Sequence, residues 1–272
     1  IGEAHIENFQ SVYGIAKAKS EIIESISEGG TIILNRDDKF FNYLAKKAIK
    51  YKLKIFTFGH HKKSDIQIKK IIKKGENSKI FIKINNEIID LEIRDLNIYN
   101  VLASIAVLNV LKIDINKIKG KIKNFETPDG RGKKHSIIRY KKKFNLIDES
   151  YNANPLSVKN AINKLNLIKK EKFKKYLILG DMLELGSKSN KYHEQLSKVI
   201  NNSDIDKVFI KGKKTIFTYK QLNKDKRGNI LQNNEDIDIS LREMISNNDH
   251  LMIKGSNATG LNDFSKKMIK GI

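Results

Sequence analysis

Cysteine and tryptophan are absent from the 272-residue chain, and proline occurs only at Pro128 and Pro155. Without cysteine there is no disulfide framework, no thiolate metal site and no cysteine nucleophile; a reducing cytoplasm suits this composition and is the expected location. No run of 18 apolar residues occurs either, so membrane insertion is not expected. The start, Ile1-Gly-Glu-Ala-His5, has neither an initiator Met nor a basic-then-apolar signal pattern, and a piece of a longer protein is expected. Arginine is scarce: Arg36, Arg94, Arg131, Arg139, Arg227 and Arg242 are all there is, against a formal net charge of +22. Such a charge ordinarily points to nucleic acid. Arginine, however, is the residue suited to bidentate phosphate and base contacts, and the many lysines are scattered among Ile and Asn. Drift in composition explains the charge, and no nucleic-acid partner is expected. A basic surface would still attract anionic substrates.

What is present reads as two α/β domains, a natural division at this length. Residues 11–28 carry Val12, Ile15, Ala16, Ile22, Ile23 and Ile26 at helical spacing and end at Gly29-Gly30. A strand at 31–35, a helix over about 38–51 and a strand at 54–59 make a strand–helix–strand unit of a parallel sheet. Residues 65–93 alternate polar and apolar, with breaks at Gly75 and Asn85-Asn86, which predicts two or three antiparallel edge strands. Residues 97–112 are apolar almost all round, the signature of a buried helix. Glu126-Thr-Pro-Asp-Gly-Arg-Gly132 is rich in turn residues, and the domain boundary is placed there, giving 1–126 and 127–272. Strands at 144–148, 176–180, 207–210 and 251–254 then alternate with helices at 156–169, 190–201, 234–246 and 261–270, a Rossmann-like doubly wound domain.

The stretch richest in chemistry is Phe144 to Ser157, where an apolar run breaks into Asp148, Glu149, Ser150, Tyr151, Asn152 and Asn154-Pro155. Asn before Pro suits a helix start: a side-chain cap, then a residue with φ already fixed and no N–H to leave unpaired. Residues 148–154 therefore fall beyond the carboxyl end of a strand, where ligands bind in open α/β sheets. Taken alone, this stretch reads better as a well-capped loop with no further role. At the front, Glu3, His5 and Glu7 cluster, with Lys17 and Lys19 following on the helix. Carboxylate and imidazole together can hold a divalent cation, though an exposed polar loop has the same composition.

Taken in order, these motifs resemble the Mur ligases. Ile-Gly-x-Ala-His5-Ile-Glu-x-Phe and Ile-Ala-x-Ala-Lys19-x-Glu-Ile look like the central domain of that family; Asn35-Arg-Asp-Asp38 resembles its Asn-x-Asp-Asp turn at the nucleotide base. Asn97-Ile-Tyr-Asn100 resembles its adenine-side helix start, and Gly130-Arg131 its Gly-Arg hinge. Asp148 to Pro155, Gly180-Asp-Met-Leu-Glu-Leu-Gly186 with His193, and Lys254-Gly-Ser256 are similar to its C-terminal domain. The octapeptide and heptapeptide are most like the branch that adds D-alanyl-D-alanine to UDP-N-acetylmuramoyl-tripeptide, rather than sister ligases or folylpolyglutamate synthetases. The fold implied is the latter part of a central parallel-sheet ATPase domain followed by the C-terminal domain.

The resemblance implies ATP and Mg²⁺ as cofactors, and the tripeptide precursor and the dipeptide as small-molecule substrates of a monomeric enzyme. It implies His5 as a magnesium ligand and Lys19 as a lysine carbamylated by CO₂, which turns a cation into an oxygen ligand for a second Mg²⁺. Asn35 and Asn97, with Asn100 beside them, would bind adenine; Arg131 would reach the phosphates and Glu149 the ribose hydroxyls. Ser150, Tyr151, Asn152, Asn154, Asp181, Glu184, Lys254 and Ser256 would face substrate, with Thr127–Gly132 as hinge. Each also has a plain role open to it as turn former, helix cap, surface cation or solvated acid. Two positions depart from the family pattern: Leu96 stands where His is usual and Asn257 where Arg is usual. A GxxxxGK[ST] phosphate loop is absent from the sequence; the family carries it upstream of the His5 motif, so this piece alone is expected to be inactive. A non-catalytic binding module and another Mur-type amino-acid ligase are the rival readings.

Overall fold

The computed structural model describes residues 1–2, 6–74, 77–94 and 96–271. The chain divides into two compact units, residue 1 with Val12–Thr127 and Gly2–Ser11 with Pro128–Ile272. The one-turn helix α1 (Ile6–Phe9) thus goes with the second unit.

In the first unit, α2 (Val12–Lys19) gives way to a 3-10 stretch, Ser20–Ser25, where one continuous helix was expected. Ser20 accounts for the change: its hydroxyl donates back to the Lys17 carbonyl at 2.6 Å, competing with the helical ladder. Strand β1 (Thr31–Asn35) alternates in burial, with Ile32 and Leu34 inward, and α3 (Phe41–Lys50) carries the chain over to β2 (Lys54–Gly59). These two pair in parallel from Thr31 opposite Lys54 to Asn35 opposite Phe58. Strand β3 (Ile66–Lys74) joins β2 in parallel through two residue pairs only, and β4 (Asn77–Ile84) and β5 (Glu87–Arg94) follow as antiparallel hairpins, giving the order β1-β2-β3-β4-β5. The β4–β5 turn needs two left-handed residues, and Asn85 and Asn86 adopt φ of 49° and 65° there. Helix α4 (Ile98–Val110) buries Val101, Leu102, Ile105 and Ala106 but leaves Val107 45% exposed, so the burial expected all round is confined to one face. The short α5 (Lys119–Lys123) closes the unit.

The second unit is built on six strands. Strands β6 (Lys133–Arg139) and β7 (Lys142–Glu149) form a hairpin over Tyr140-Lys141, both left-handed. Helix α6 (Pro155–Asn166), β8 (Lys175–Gly180), α7 (Ser189–Asn201), β9 (Lys207–Lys211), α8 (Thr215–Lys220), β10 (Arg227–Leu231), α9 (Asn234–Met244), β11 (His250–Lys254) and α10 (Leu261–Lys270) follow. The order is β10-β9-β8-β11-β7-β6, parallel except for β6 at the edge. Two of these strands exceed the four expected. Both are edge strands whose sequences, Lys-Lys-His-Ser at the start of β6 and Arg-Gly-Asn in β10, lack a continuous apolar run because only part of each faces a core. Central β8 is buried at every residue. Tyr176 and Ile178 join Phe144, Leu146, Phe209, Leu251 and Ile253 in a core covered by α9 and α10. Leu177 and Leu179 alternate to the other face, where α6 buries Val158, Ile162 and Leu165.

Gly180 ends β8 beside Gly255, which follows the end of the parallel neighbour β11, and an added methyl at Gly180 would lie 2.7 Å from Leu261 Cδ1 and 3.2 Å from the Gly255 Cα. Gly180→Ala is expected to destabilise the second unit by about 1–3 kcal/mol through overpacking, read as a lower urea midpoint with unchanged slope.

Candidate functional site

The ladder of the second unit brings three of the sequence motifs to one level. Lys254 lies opposite Glu149 on one side and Leu179 on the other, so the loops that leave β7, β8 and β11 emerge side by side at the carboxyl edge. The β7 loop starts from Asp148, 1% exposed, whose carboxylate accepts from the Gly130 N–H at 2.9 Å, the Ser150 N–H at 3.2 Å and the Ser150 hydroxyl at 2.5 Å. The Asp148 carbonyl takes the Gly132 N–H at 2.7 Å, and the Gly130 carbonyl takes that of Tyr151 at 3.1 Å. Arg131 is thereby carried over the Tyr151 ring, its guanidinium carbon 4.5 Å from the centroid. Asn154 caps α6 in a reciprocal box with Ser157, as its pairing with Pro155 predicts. Asn152 turns its side-chain oxygen to the Ala153 N–H at 2.8 Å.

Lys254 is 2% exposed and donates to the carbonyls of Glu149 and Asn152, with the Glu149 carboxylate 3.7 Å away. Burial pushes its ammonium below the usual lysine range, against the pull of Glu149. Ser256 accepts from the Leu183 N–H at 3.0 Å and gives its own N–H to the Asp181 carbonyl at 3.1 Å, tying the β11 loop to the β8 loop. The Asp181 carboxylate accepts the Lys214 and Thr215 N–H groups at the start of α8. His193, fully buried, accepts the Met182 N–H at Nε2, 2.9 Å, while Nδ1 lies 2.8 Å from the Ser189 carbonyl and donates to it. Those partners require a neutral ring protonated on Nδ1, and burial holds the pKa below its ordinary value. Glu184 takes φ of 61° and gives its carbonyl to the Glu7 N–H at 3.1 Å.

Of the expected site residues at this edge, Ser150, Asn154, Asp181, Lys254 and Ser256 spend their polar groups inside the chain. Tyr151, Asn152, Glu184 and Arg131 are exposed, and Glu149 is half-buried between them. The Gly-Arg segment, expected to be a hinge as far as Gly132, is fastened to the β7 loop from Gly130 onward.

In the first unit, Asn35 closes the turn after β1 by accepting the Asp37 N–H at 2.9 Å, and Asn97 caps α4 by accepting from Tyr99 and Asn100. Each amide group keeps its N–H donors for another partner. Sequence reasoning missed what joins them: the Asp37 carboxylate accepts the His60 and His61 N–H groups at 2.6 and 3.0 Å and the Tyr99 hydroxyl at 3.0 Å. Those hydrogen bonds outweigh its partial burial and hold its pKa below the usual carboxylate range. Gly59 is needed beside it, at φ of 146°, because a side chain there would strike the carboxylate. The signal lay in His60-His61 directly after a strand ending in glycine. Arg36, Asp38, Lys39, Phe41, Asn42 and His61 line an adjoining cleft of about 320 Å³. Lys19 is exposed at the last position of α2, and His5 lies outside the described residues.

Residues 1–108 match the Mur ligase middle domain and residues 136–257 the Mur ligase glutamate ligase domain. The chain belongs to the Mur ligase family. Relatives named UDP-N-acetylmuramoyl-tripeptide–D-alanyl-D-alanine ligase include one from Buchnera aphidicola subsp. Acyrthosiphon pisum, 30% identical over 98% of this chain and 58% of its own length, and one from Rickettsia prowazekii, 28% identical over 96% and 58%. The chain thus spans about 58% of the length of these curated relatives. Among solved structures, the MurF ligase from Thermotoga maritima in complex with ADP shares the fold, with a TM-score of 0.80 at 22% identity over 99% of this chain and 60% of that one. The folylpolyglutamate synthetase from Lactobacillus casei, with a TM-score of 0.60 at 12% identity, covers 95% and 58%.

In this Mur ligase chain, Leu96, at the position where the family has His, packs against the core of the first unit, and Asn257 opens the 3-10 turn Asn257–Thr259 after β11. Among the described residues no three His, Asp or Glu side chains come together as a metal site.

His193 gives this edge a pH dependence. Its folded pKa is depressed, so below its ordinary value near 6.5 the unfolded chain binds the proton first and stability falls as pH drops. Unfolding free energies of the wild type and of His193→Gln, measured by denaturant titration at pH 7 and pH 5, should differ less at pH 5; an undiminished difference would refute the neutral-ring assignment.

Proposed function

We propose that this chain is the nucleotide-base and acceptor-side part of an ATP-dependent, ADP-forming ligase that joins D-alanyl-D-alanine to UDP-N-acetylmuramoyl-tripeptide. The observation that carries the proposal is the interlock at the carboxyl edge: Asp148, Lys254 and Ser256 bind the three motif loops into one scaffold while Glu149, Arg131, Tyr151 and Asn152 are presented from it. Relatives that carry that name over most of this chain support the same reading. Residues 1–126 are assigned to the latter part of the central ATP-binding domain and 127–272 to the C-terminal domain.

The reaction moves the γ-phosphoryl of ATP onto the terminal carboxylate of the tripeptide, releasing ADP; the dipeptide amine then attacks the acyl carbon and inorganic phosphate leaves. Little covalent work falls to the protein in such a transfer, so positioning two anionic reactants and neutralising charge supply most of the rate. The free N–H donors of Asn35 and Asn97 suit the acceptor nitrogens of adenine, with Asn100 one turn further on. Arg131, steadied on Tyr151, suits phosphate oxygens, and Glu149 suits the ribose hydroxyls as a double acceptor. Tyr151, Asn152 and Glu184 face the peptide reactants, while Ser150, Asn154, Asp181, Lys254 and Ser256 hold the loops that present them. His5 and a carbamylated Lys19 are assigned to Mg²⁺. The enzyme is read as a cytoplasmic monomer of peptidoglycan precursor synthesis.

The test uses the protein encoded by the whole reading frame that contains this chain, with phosphate release followed at fixed ATP. Release should require both the tripeptide precursor and D-alanyl-D-alanine; release indifferent to the dipeptide would overturn the assignment. Lys19→Ala should lower turnover at least about 100-fold, the scale of losing a charge-stabilising ligand, and added bicarbonate should not restore it. Wild-type turnover in that variant would sink the carbamate assignment while leaving the ligase reading in place.

A further inference from the structure

The two amides assigned to the nucleotide base are set by different elements: Asn35 is the last residue of β1, and Asn97 is the cap of α4. Each is oriented by local bonds. The Asn35 side-chain oxygen accepts the Asp37 N–H at 2.9 Å, and that of Asn97 accepts the Tyr99 and Asn100 N–H groups at 2.9 and 3.3 Å. An amide whose oxygen is engaged in this way cannot flip without losing those bonds, so its two N–H donors stay turned outward. These bonds say how each amide is turned. They do not say how the two stand relative to each other.

Asp37 joins them. Its own N–H is held by Asn35, and its Oδ2 accepts the hydroxyl of Tyr99, whose N–H is held by Asn97. A continuous chain of hydrogen bonds therefore runs from Asn35 through Asp37 and Tyr99 to Asn97. The same carboxylate takes the His60 N–H at Oδ2 and the His61 N–H at Oδ1, and the His60 ring sits edge-on to Tyr99 with centroids 6.2 Å apart. The turn after β1, the turn after β2 and the start of α4 thus meet at one side chain. Only a carboxylate can serve all three donors, because an amide offers a single acceptor oxygen and would turn its N–H groups toward a donor. Gly59 leaves the space: a Cβ there would lie 2.6 Å from Oδ2.

We propose that Asp37 is a positioning residue for nucleotide binding, fixing the separation and relative orientation of the Asn35 and Asn97 amides. It acts through them, since its two oxygens are taken by His60, His61 and Tyr99. The inference rests on the assignment of those amides to the base. Donors held in place before the ligand arrives bind it more tightly, because the entropy of ordering them is lost on folding and not on binding.

The test uses the protein encoded by the whole reading frame, with phosphate release followed against ATP concentration at saturating tripeptide precursor and dipeptide. In Asp37→Asn the KM for ATP should rise at least about tenfold, the scale of disrupting a hydrogen bond to a charged group, with kcat within about twofold of wild type. Tyr99→Phe removes one donor and leaves both histidine N–H bonds in place; it should raise the KM about threefold and decides the matter where Asp37→Asn does not fold. A merely structural role would lower the active fraction, and so kcat, at unchanged KM; that result overturns the proposal, as does a wild-type KM in both variants. Asn97→Ala separates the two readings. A raised KM in Asn97→Ala beside a wild-type KM in Asp37→Asn overturns the positioning role alone, whereas an unchanged KM in Asn97→Ala removes the base assignment and this inference with it.

Discussion

A carboxylate with almost no contact with water can stay in a protein only if donors replace the water, and Asp148 obtains its donors from two parts of the chain. Ser150 supplies two and the Gly130 backbone the third. Hydrogen bonds to a charged group contribute about 1.5–3 kcal/mol each, and losing one leaves a desolvated oxygen, so the linker strand and the β7 loop are held together by more than their shape. Everything presented from that loop depends on it. Arg131 stands on Tyr151 because Gly130 and Gly132 are each bonded to Asp148, and Tyr151 is placed by its own bond to Gly130.

Lysine plays a part in this protein that its charge alone conceals. Lys175, Lys226 and Lys254 are buried, and each donates to backbone carbonyls where a regular element ends: Lys175 at the end of α6, Lys226 in the approach to β9 and Lys254 beyond β7. A long stem with three donors at its tip can cross a loop and tie two carbonyls together. The net charge of +22 therefore reflects interior struts as well as a solvated surface. Lys254 shows the difference most clearly: by sequence it suits an anion, by geometry it braces the loop that carries Glu149.

How much of this was legible in the sequence divides along a physical line. Local signals read correctly where a few neighbouring residues decide the outcome: Asn154-Pro155 caps α6, Asn85-Asn86 turns the hairpin, and the apolar runs of β7, β8, β9 and β11 form a parallel sheet. Edge strands β6 and β10 escaped because one side of each is solvated, and the end of α2 escaped because a single serine hydroxyl diverts a carbonyl. Side-chain roles that depend on distant partners could not be read at all. Asp181 meets α8 more than thirty residues on, and Asp37 meets Tyr99 sixty-two residues on. Three of the motif loops do leave neighbouring strands at one edge, but spacing alone does not say which of their polar residues spend hydrogen bonds on the scaffold and which are left for a ligand.

The same hydrogen bonds limit where the connection between the two units can bend. A hinge must absorb changes in φ and ψ, and residues held at both N–H and carbonyl cannot do so without breaking those bonds. Gly130 is held at both, Gly132 by its N–H, and Arg131 by its N–H to the Pro128 carbonyl at 3.2 Å. Gly130 at φ of 74° and Gly132 at φ of 96° use the freedom of glycine for a fixed turn: a side chain on Gly130 would strike Tyr151, and one on Gly132 would strike Glu149. The two glycines that look most hinge-like in the sequence are thus the most tightly fastened.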